Sequence, residues 1–386
     1  IEHVRLPDQP TVVLKNELSA GLCEYDALMD GILSYKPFTL EGNLLDFRRL
    51  KNLNLESPWW DQAGIHDLSI KNRIFYLMGD ALVSDKGATW VCYYNKDLYR
   101  NYGFETPPYA YVDDGTWTVD RLHQMAKVVG TSNNVSDATP ITEGTFGLIA
   151  QTYDGVSSTF AFGQRMIEKN ADDLPYIQMT SEGNKIGFLK MYDLLRDGSC
   201  TAIAEVKTPR AGQSWEAVYS ASDGAFQAGR GLFQYQEISY VQSLLNAKID
   251  FTYGILPLPK YDEAQDHYYS TVKVYNAMAL AVPATLPEER YEFVGYALEA
   301  LGYYGRDMLR PAYYEQTLKL QKLPDETDAR MLDLIFDNRI FDIGMVYDFG
   351  DALYLYTDLL ASGSPTIESE LQTKVPVLQS TIDAFI

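Results

Sequence analysis

The sequence predicts an α/β protein built of more than one unit. Three observations carry this. Short apolar strands alternate with helical stripes along the chain. No segment repeats at a fixed period, and none is of low complexity. The 386 residues also exceed what one hydrophobic core usually serves, which suits two domains better than one.

The elements follow in order. Ile74-Phe75-Tyr76-Leu77 reads as a short apolar strand ahead of Gly79-Asp80. Thr89 to Tyr94 is a second strand and runs into Asn95-Lys96-Asp97. After the Asp113-Asp114-Gly115 turn, Thr118 is placed to cap a helix, because Leu122, Met125, Ala126 and Val129 recur at helical spacing. Phe188, Met191, Tyr192 and Leu195 form another stripe, ended by Asp197-Gly198. Thr252 to Leu256 is a strand closed by Pro257 and Pro259, which cannot continue a ladder. Asn276 to Val282 reads as a long apolar strand. Beyond Pro283 and Pro287, a helix is expected to bury Phe293, Val294, Ala297, Leu298 and Leu301 on one face. Met331, Leu332, Ile335 and Phe336 make a further helical face. The tail from Ile367 through Leu371, Val375 and Leu378 to Ile382 has helical period, with Pro376 expected to bend it.

Composition narrows the function classes. Asp plus Glu total 53 against 32 Lys plus Arg, a net charge of −21. A nucleic-acid binder needs the opposite surplus, as does adhesion to anionic lipid through basic patches. Hydrophobic residues at 46% exclude intrinsic disorder. No apolar run approaches the roughly 20 residues that span a bilayer. The 29 Tyr, 16 Phe and 5 Trp suit cores, interfaces and carbohydrate contacts alike.

Reactive signatures are missing. The chain has no Gly-rich phosphate loop, no GxSxG elbow, no HExxH and no CxxC. Cys23, Cys92 and Cys200 are too few and too widely spaced for a disulfide framework or a zinc motif, and Cys92 reads as a buried small hydrophobe. His3, His66, His123 and His267 are scattered, none with a second ligand at metal spacing, so neither metal nor cofactor is expected. Acidic pairs such as Asp113-Asp114 and Asp172-Asp173 could serve a glycosidase, but 53 acids make such pairs by chance. Asn134-Val135-Ser136 fits a glycosylation sequon. What remains, aromatic and amide groups without a reactive constellation, is what a binder of a polar, uncharged ligand needs. Sugars offer C–H faces to aromatic rings and hydroxyls to Asp, Asn, Gln or Arg.

Seven stretches, in order, resemble the extracellular solute-binding proteins of sugar ABC importers, of the maltodextrin-binding type and its Firmicutes lipoprotein branch. They are Tyr25-Asp26-Ala27-Leu28; Pro58-Trp59-Trp60-Asp61 with Leu68-Ser69-Ile70 and Phe75 to Asp80; Tyr93 to Leu98; Thr116 to Leu122; Phe226 to Phe233; Tyr253 to Lys260; and Ala329 to Asp333 with Phe341 to Gly344. The likeness runs from about residue 20 onward. It implies a two-lobed periplasmic-binding-protein-like fold (type II) with discontinuous domains and a ligand cleft between the lobes. Lobe one is expected at 1–88 and 275–320, lobe two at 89–274 and 321–386. The family opens with a strand and a helix; only Glu2 to Leu6 and Thr11-Val12-Val13-Leu14 stand there, so that first unit is expected to be missing. Any targeting segment or lipid anchor is expected upstream of Ile1.

The resemblance also implies where ligand is held. Asp30, Gly31 and Tyr35 follow a strand end that holds ligand hydroxyls in the family. Trp59 and Trp60 either stack on sugar or plug the core beneath. Asp80 either accepts hydroxyls or caps a turn. Trp90 precedes the crossing strand and can stack on a ring, while Tyr93 and Asn95 read as hinge structure. Tyr153 and Asp154 stand where the second lobe offers an aromatic and an acid. Trp215 is a stacking platform or a cap in a loop-like setting. Gln234, Tyr235, Gln236 and Glu237 are the strongest candidates by position, read as a loop presented to the ligand. Tyr268, Tyr269 and Ser270, and then Tyr347, Asp348 and Phe349, flank later crossings. The implied function is capture of a sugar or oligosaccharide by hinge closure and delivery to a membrane permease. The expected protein is a monomer without catalysis, lipid-anchored at the surface of a Gram-positive cell or periplasmic in a two-membrane one. A secreted carbohydrate-active enzyme, or a sensor or adhesin using the same cleft, are the alternatives.

Overall fold

The computed structural model describes residues 2, 4–5, 9–209, 212–319 and 326–386, without the side chains of 315–319 and 326. His3, Leu6 and the expected lobe boundary at 320/321 lie outside the described residues.

The chain first lays down β1 (Leu28–Gly31) and then β2 (Trp90–Asn95), β3 (Phe146–Ala150), the hairpin β4 (Ile167–Lys169) and β5 (Pro175–Ile177), β6 (Thr201–Ile203), β7 (Gly231–Glu237), β8 (Tyr253–Leu256) and β9 (Met278–Ala281). Five of these form one mixed sheet in the order β6-β3-β7-β2-β8. β3 runs parallel to β6 and β7, whereas β2 is antiparallel to β7 and β8. Every residue of β2, β3, β7 and β8 is buried, which is why β2, β3 and β8 are largely apolar without alternation, whereas β7 also buries Gln234, Gln236 and Glu237. Trp90, Cys92 and Tyr94 point into one core, with Leu122 and Met125 of helix Val119–Ser132. Val91 and Tyr93 point into the other, with Phe226, Leu244, Leu332 and Ile335. Thr118 caps helix Val119–Ser132 as expected, its Oγ1 accepting from the Arg121 amide at 3.3 Å. Gly147 lets that helix sit on β3, because a Cβ there would lie 2.2 Å from the Ala126 backbone.

The smaller lobe is built on β1 and β9, an antiparallel pair extended by single bridges at Leu44–Pro283 and Leu77–Leu280. Its own core holds Phe47, Trp60, Ile74, Leu77, Val282, Val294 and Leu298. Three sequence expectations are corrected here. The 74–77 segment makes no strand; only Leu77 pairs, exchanging hydrogen bonds of 3.0 and 2.9 Å with Leu280. The strand expected over Asn276 to Val282 shrinks to β9, since Lys273 to Ala277 turn back on themselves. In helix Tyr291–Tyr304, Phe293 and Leu301 are 55% and 44% exposed. The buried face is Tyr291, Val294, Gly295 and Leu298, so the apolar residues outnumber the positions that have a core to face. Thr11-Val12-Val13-Leu14 lies in helix Pro10–Ala20.

Among the described residues, three segments, here called the crossings, bond to one another beside the start of β2. The Trp90 amide donates to Thr271 O at 3.0 Å, and the Ile340 amide donates to Ser270 O at 2.8 Å. The Arg339 side chain joins them: it pairs with Asp61 of the smaller lobe and, at 3.0 Å, with Asp85 just ahead of β2. The tail then packs mainly on the larger lobe. Asp342 caps helix Ile343–Tyr347 and also accepts from the Met166 amide at 2.7 Å. The last helix, Ile367–Phe385, runs through Pro376 and buries Ile367, Leu371, Leu378 and Ile382. Among the described residues, no helix is long and apolar enough to cross a membrane.

Candidate binding site at the crossings

The crossings bring together an aromatic and polar cluster. Trp90 opens β2 and lies directly opposite Glu237, the last residue of β7. Neighbours across a ladder share a face, so the indole and the carboxylate stand side by side. The Trp90 ring stacks on Tyr153, with centroids 5.7 Å apart and planes 20° apart. Tyr153 in turn meets the edge of Tyr275 at 5.8 Å. Tyr275 donates through its hydroxyl to that of Tyr354 at 2.5 Å. Lys273 sits at the centre. Its ammonium is 5.1 Å from the Trp90 ring centroid and 5.8 Å from that of Tyr219. It lies 3.5 Å from Glu237 Oε1 and 3.5 Å from Gln151 Oε1. Asn276 donates to Glu237 Oε1 at 2.5 Å.

Helix Trp215–Gln227 supplies another wall. Ser214 caps it, accepting from the Ala217 amide at 3.2 Å, so Trp215 is its first residue and not part of a loop. Trp215, Tyr219 and Asp223 recur every four residues and therefore share one face. Trp215 and Tyr219 stack at 5.7 Å and 11°, and the Trp215 ring remains 46% exposed. The Tyr219 hydroxyl donates to Glu205 Oε1 at 3.1 Å. Asp223 Oδ1 accepts from Gln234 Nε2 at 3.0 Å and from Gln236 Nε2 at 3.3 Å.

The electrostatics follow from burial. Desolvation lifts the Glu237 carboxyl above its ordinary range, against the pull of Lys273 and Asn276. It lifts Asp223 to about 6, although both glutamines and Lys273 favour its charged form. Trp90 Nε1 and Glu237 Oε2 are buried and make no hydrogen bond among the described residues. Such atoms cost about 1–3 kcal/mol each unless a guest or water satisfies them.

Of the residues picked from sequence, the structure gathers Trp90, Tyr153 and Glu237, with Trp215 beside them through Tyr219. Asp348 lies close to Tyr275 and pairs with Lys36 at 3.3 Å, and burial raises its carboxyl. The run Gln234–Glu237 is strand and not loop, so the pleat divides it. Glu237 joins Trp90, Gln234 and Gln236 turn to Asp223, and Tyr235 is core.

The others are engaged elsewhere. Asp30 accepts from the amide and hydroxyl of Thr11 at 3.1 and 2.9 Å, tying down helix Pro10–Ala20. Gly31 pairs with Met278 in the β1–β9 ladder. Tyr35 is fully buried and donates to Ala279 O. Trp60 plugs the smaller lobe and donates to Glu299 at 3.1 Å, while Trp59 packs on the edge of Tyr303. Asp80 pairs with Lys86 at 3.2 Å in the hinge charge cluster. Asp154 is fully buried and accepts from the Gln151 amide at 2.7 Å, holding the start of helix Asp154–Ala161. Tyr269 packs against His267, and Tyr347 is core beside Tyr76 and Phe349.

Sequence reasoning missed Lys273, Tyr275 and Asn276, the residues that turn into β9. It stopped three residues short, at Ser270. Tyr219 and Asp223 were also missed, although Trp215 and the four-residue spacing pointed to them. Two surface hollows lie away from the cluster. One is lined by Asn95, Gly229 and Phe251, the other by His123, Lys190 and Asp197.

A scan against protein-family models matches none, and a search of curated proteins matches none. Solved structures do match. The maltose-binding periplasmic protein MalE from Listeria monocytogenes, in complex with maltose, is 16% identical at a TM-score of 0.61, over 97% of this chain and 88% of that one. MalX from Streptococcus pneumoniae, with maltopentaose, is 16% identical at 0.57, over 98% and 92%. UgpB from Mycobacterium tuberculosis, with glycerophosphocholine, is 16% identical at 0.59, over 97% and 88%. The fold is that of two-lobed solute-binding proteins. This agrees with the architecture that the sequence resemblance implies. At these identities the likeness speaks for fold, and the guests named fall into two chemistries, maltose and maltopentaose on one side and glycerophosphocholine on the other.

Proposed function

We propose that the protein captures a sugar or oligosaccharide between its lobes by hinge closure and delivers it, unreacted, to the permease of an ABC importer. The observation that carries this reading is the cluster of Trp90, Tyr153, Lys273 and Glu237, built on the crossings themselves. It pairs aromatic faces with buried polar atoms that still want partners, which is the complement of a sugar ring and its hydroxyls. The solved relatives of this fold named for maltose and maltopentaose support the ligand class. A cell-surface or periplasmic location, reached through a lipid anchor or leader, belongs to the same proposal, as does action as a monomer.

Calorimetry against a panel of oligosaccharides tests it, with E237Q as the comparison. A hydrogen bond to a charged group contributes about 1.5–3 kcal/mol, so E237Q should weaken sugar binding by roughly 10- to 100-fold. Small-angle scattering should show contraction at saturation, because a guest that bridges the lobes favours the closed state. Binding of glycerophosphodiesters with no sugar bound would overturn the ligand class. Turnover of a glycoside would overturn the binding role.

A further inference from the structure

We propose that His123, Asp197 and Cys200 form a zinc-type metal site on the larger lobe, apart from the crossings and independent of the function proposed above. His123 Nε2, a carboxylate oxygen of Asp197 and Cys200 Sγ all lie within 4.8 Å of one another. A zinc ion binds nitrogen and oxygen at about 2.0–2.2 Å and sulfur at about 2.3 Å, so one ion reaches all three once the side chains close by up to about an ångström. The donor set, one imidazole, one thiolate and one carboxylate, suits a borderline-soft cation and not calcium or magnesium. Sequence spacing hid the group: His123 and Asp197 are 74 positions apart, and only packing joins them.

The backbone holds the three donors in place. Helix Val119–Ser132 carries His123, and the turn after helix Glu182–Leu195 carries Asp197 and Cys200. Gly130 allows the two to touch, since a Cβ there would meet Ser199 O at 2.2 Å and Cys200 Cα at 2.5 Å. Cys200 O accepts from the Gly147 and Leu148 amides at 2.8 and 3.1 Å, fixing the turn to β3. A surface hollow of about 470 Å³ reaches His123 and Asp197 and is also lined by Lys127, Lys190 and Arg196, while Cys200 lies fully buried beneath it.

Without a metal, His123 Nε2 lies 2.9 Å and Lys127 Nζ 3.1 Å from Asp197 Oδ2. Lys127 is half exposed, so its ammonium yields to an ion by swinging into solvent. Burial would raise the Asp197 carboxyl, but hydrogen bonds from Ser199, His123 and Lys127 outweigh it and hold it well below the usual range. Binding makes the Cys200 thiol give up its proton to solvent as the metal–sulfur bond forms. The bound ion would brace helix Val119–Ser132 against the edge of the larger sheet.

Cobalt(II) is the probe, added to the whole protein. Wild type should give a saturable one-to-one thiolate-to-cobalt charge-transfer band that zinc abolishes. C200A should give none, although Cys23 and Cys92 remain. H123Q, altered near the surface, should keep its fold and bind at least tenfold more weakly. Absence of the band in wild type at excess cobalt, or a band of equal strength in C200A, overturns the site. If C200A fails to fold, unchanged affinity in H123Q overturns it instead.

Discussion

Replacing Arg339 by Met should unfold the hinge more than any other single change among the crossings. The guanidinium is nearly enclosed, with the side chains of Arg339, Asp61 and Asp85 exposed by 8%, 6% and 0%. It faces both carboxylates at once, and the backbone of the same residue bridges to Ser270 on the second crossing. Removing it leaves two buried anions. Lys86 stays 3.7 Å from Asp85 but already serves Asp80 at 3.2 Å. Breaking a buried pair from one side costs about 3–5 kcal/mol, because the stranded charge keeps its desolvation penalty. That is a large part of the roughly 5–15 kcal/mol that holds a domain together. Urea unfolding of wild type, R339M and the triple variant R339M/D61N/D85N is the assay. The triple variant carries no stranded charge and should recover much of the loss. R339K should fall between, since one ammonium cannot fork between two acids. A loss in R339M below about 1 kcal/mol would refute the reasoning, as would a triple variant no more stable than R339M.

Other consequences are equally open to measurement. Burial holds the Asp223 carboxyl at about 6, while in an unfolded chain it titrates near about 3.9. Between those values the folded state keeps a proton that the unfolded state has lost, so this group's contribution to stability falls as pH rises from about 4 to about 6. The fall is on the order of 2–3 kcal/mol and levels off above that window. D223N has no such group, so the stability difference between wild type and D223N should slope through the window; a flat difference contradicts the assignment. Gly147→Ala should cost about 1–3 kcal/mol or more by driving helix Val119–Ser132 off β3, and an unchanged melting temperature would show that the contact is looser than 2.2 Å.

The sequence revealed those features that depend on local pattern. Thr118 caps the helix it was expected to cap, and Pro257 ends β8 where a ladder must stop. Helical stripes such as Phe188, Met191 and Leu195 are buried as their spacing requires. The losses come where tertiary context decides. Ile74 to Leu77 has strand composition, but only Leu77 finds an edge to pair with. Phe293 and Leu301 are apolar without a core to face. The candidate cluster was half legible for the same reason. Trp90, Tyr153 and Glu237 stand at element ends, which sequence can locate. Asp30 and Asp154 stand at such ends too, yet their carboxylates are spent on backbone amides. No single sequence tells an acid held by backbone amides from one that keeps an unpaired oxygen, because the residue type and the chain position are the same.

Lys273 shows why the site and the hinge must be read together. Its amide donates to Ala88 O at 2.8 Å, so its backbone is part of the joint between the first and second crossings. Its ammonium, one side chain away, lies between the Trp90 and Tyr219 rings and beside Glu237. Trp90 is likewise both a hinge residue, through its amide to Thr271, and the central ring of the cluster. A rotation about the crossings therefore cannot leave the cluster unchanged, since the atoms that turn are joined to the atoms that would touch a guest. A guest that satisfies Trp90 Nε1 and Glu237 Oε2 favours whichever hinge angle brings those atoms to it. Under the proposed function, its binding energy would act directly on the open–closed equilibrium, without any relay through the lobes.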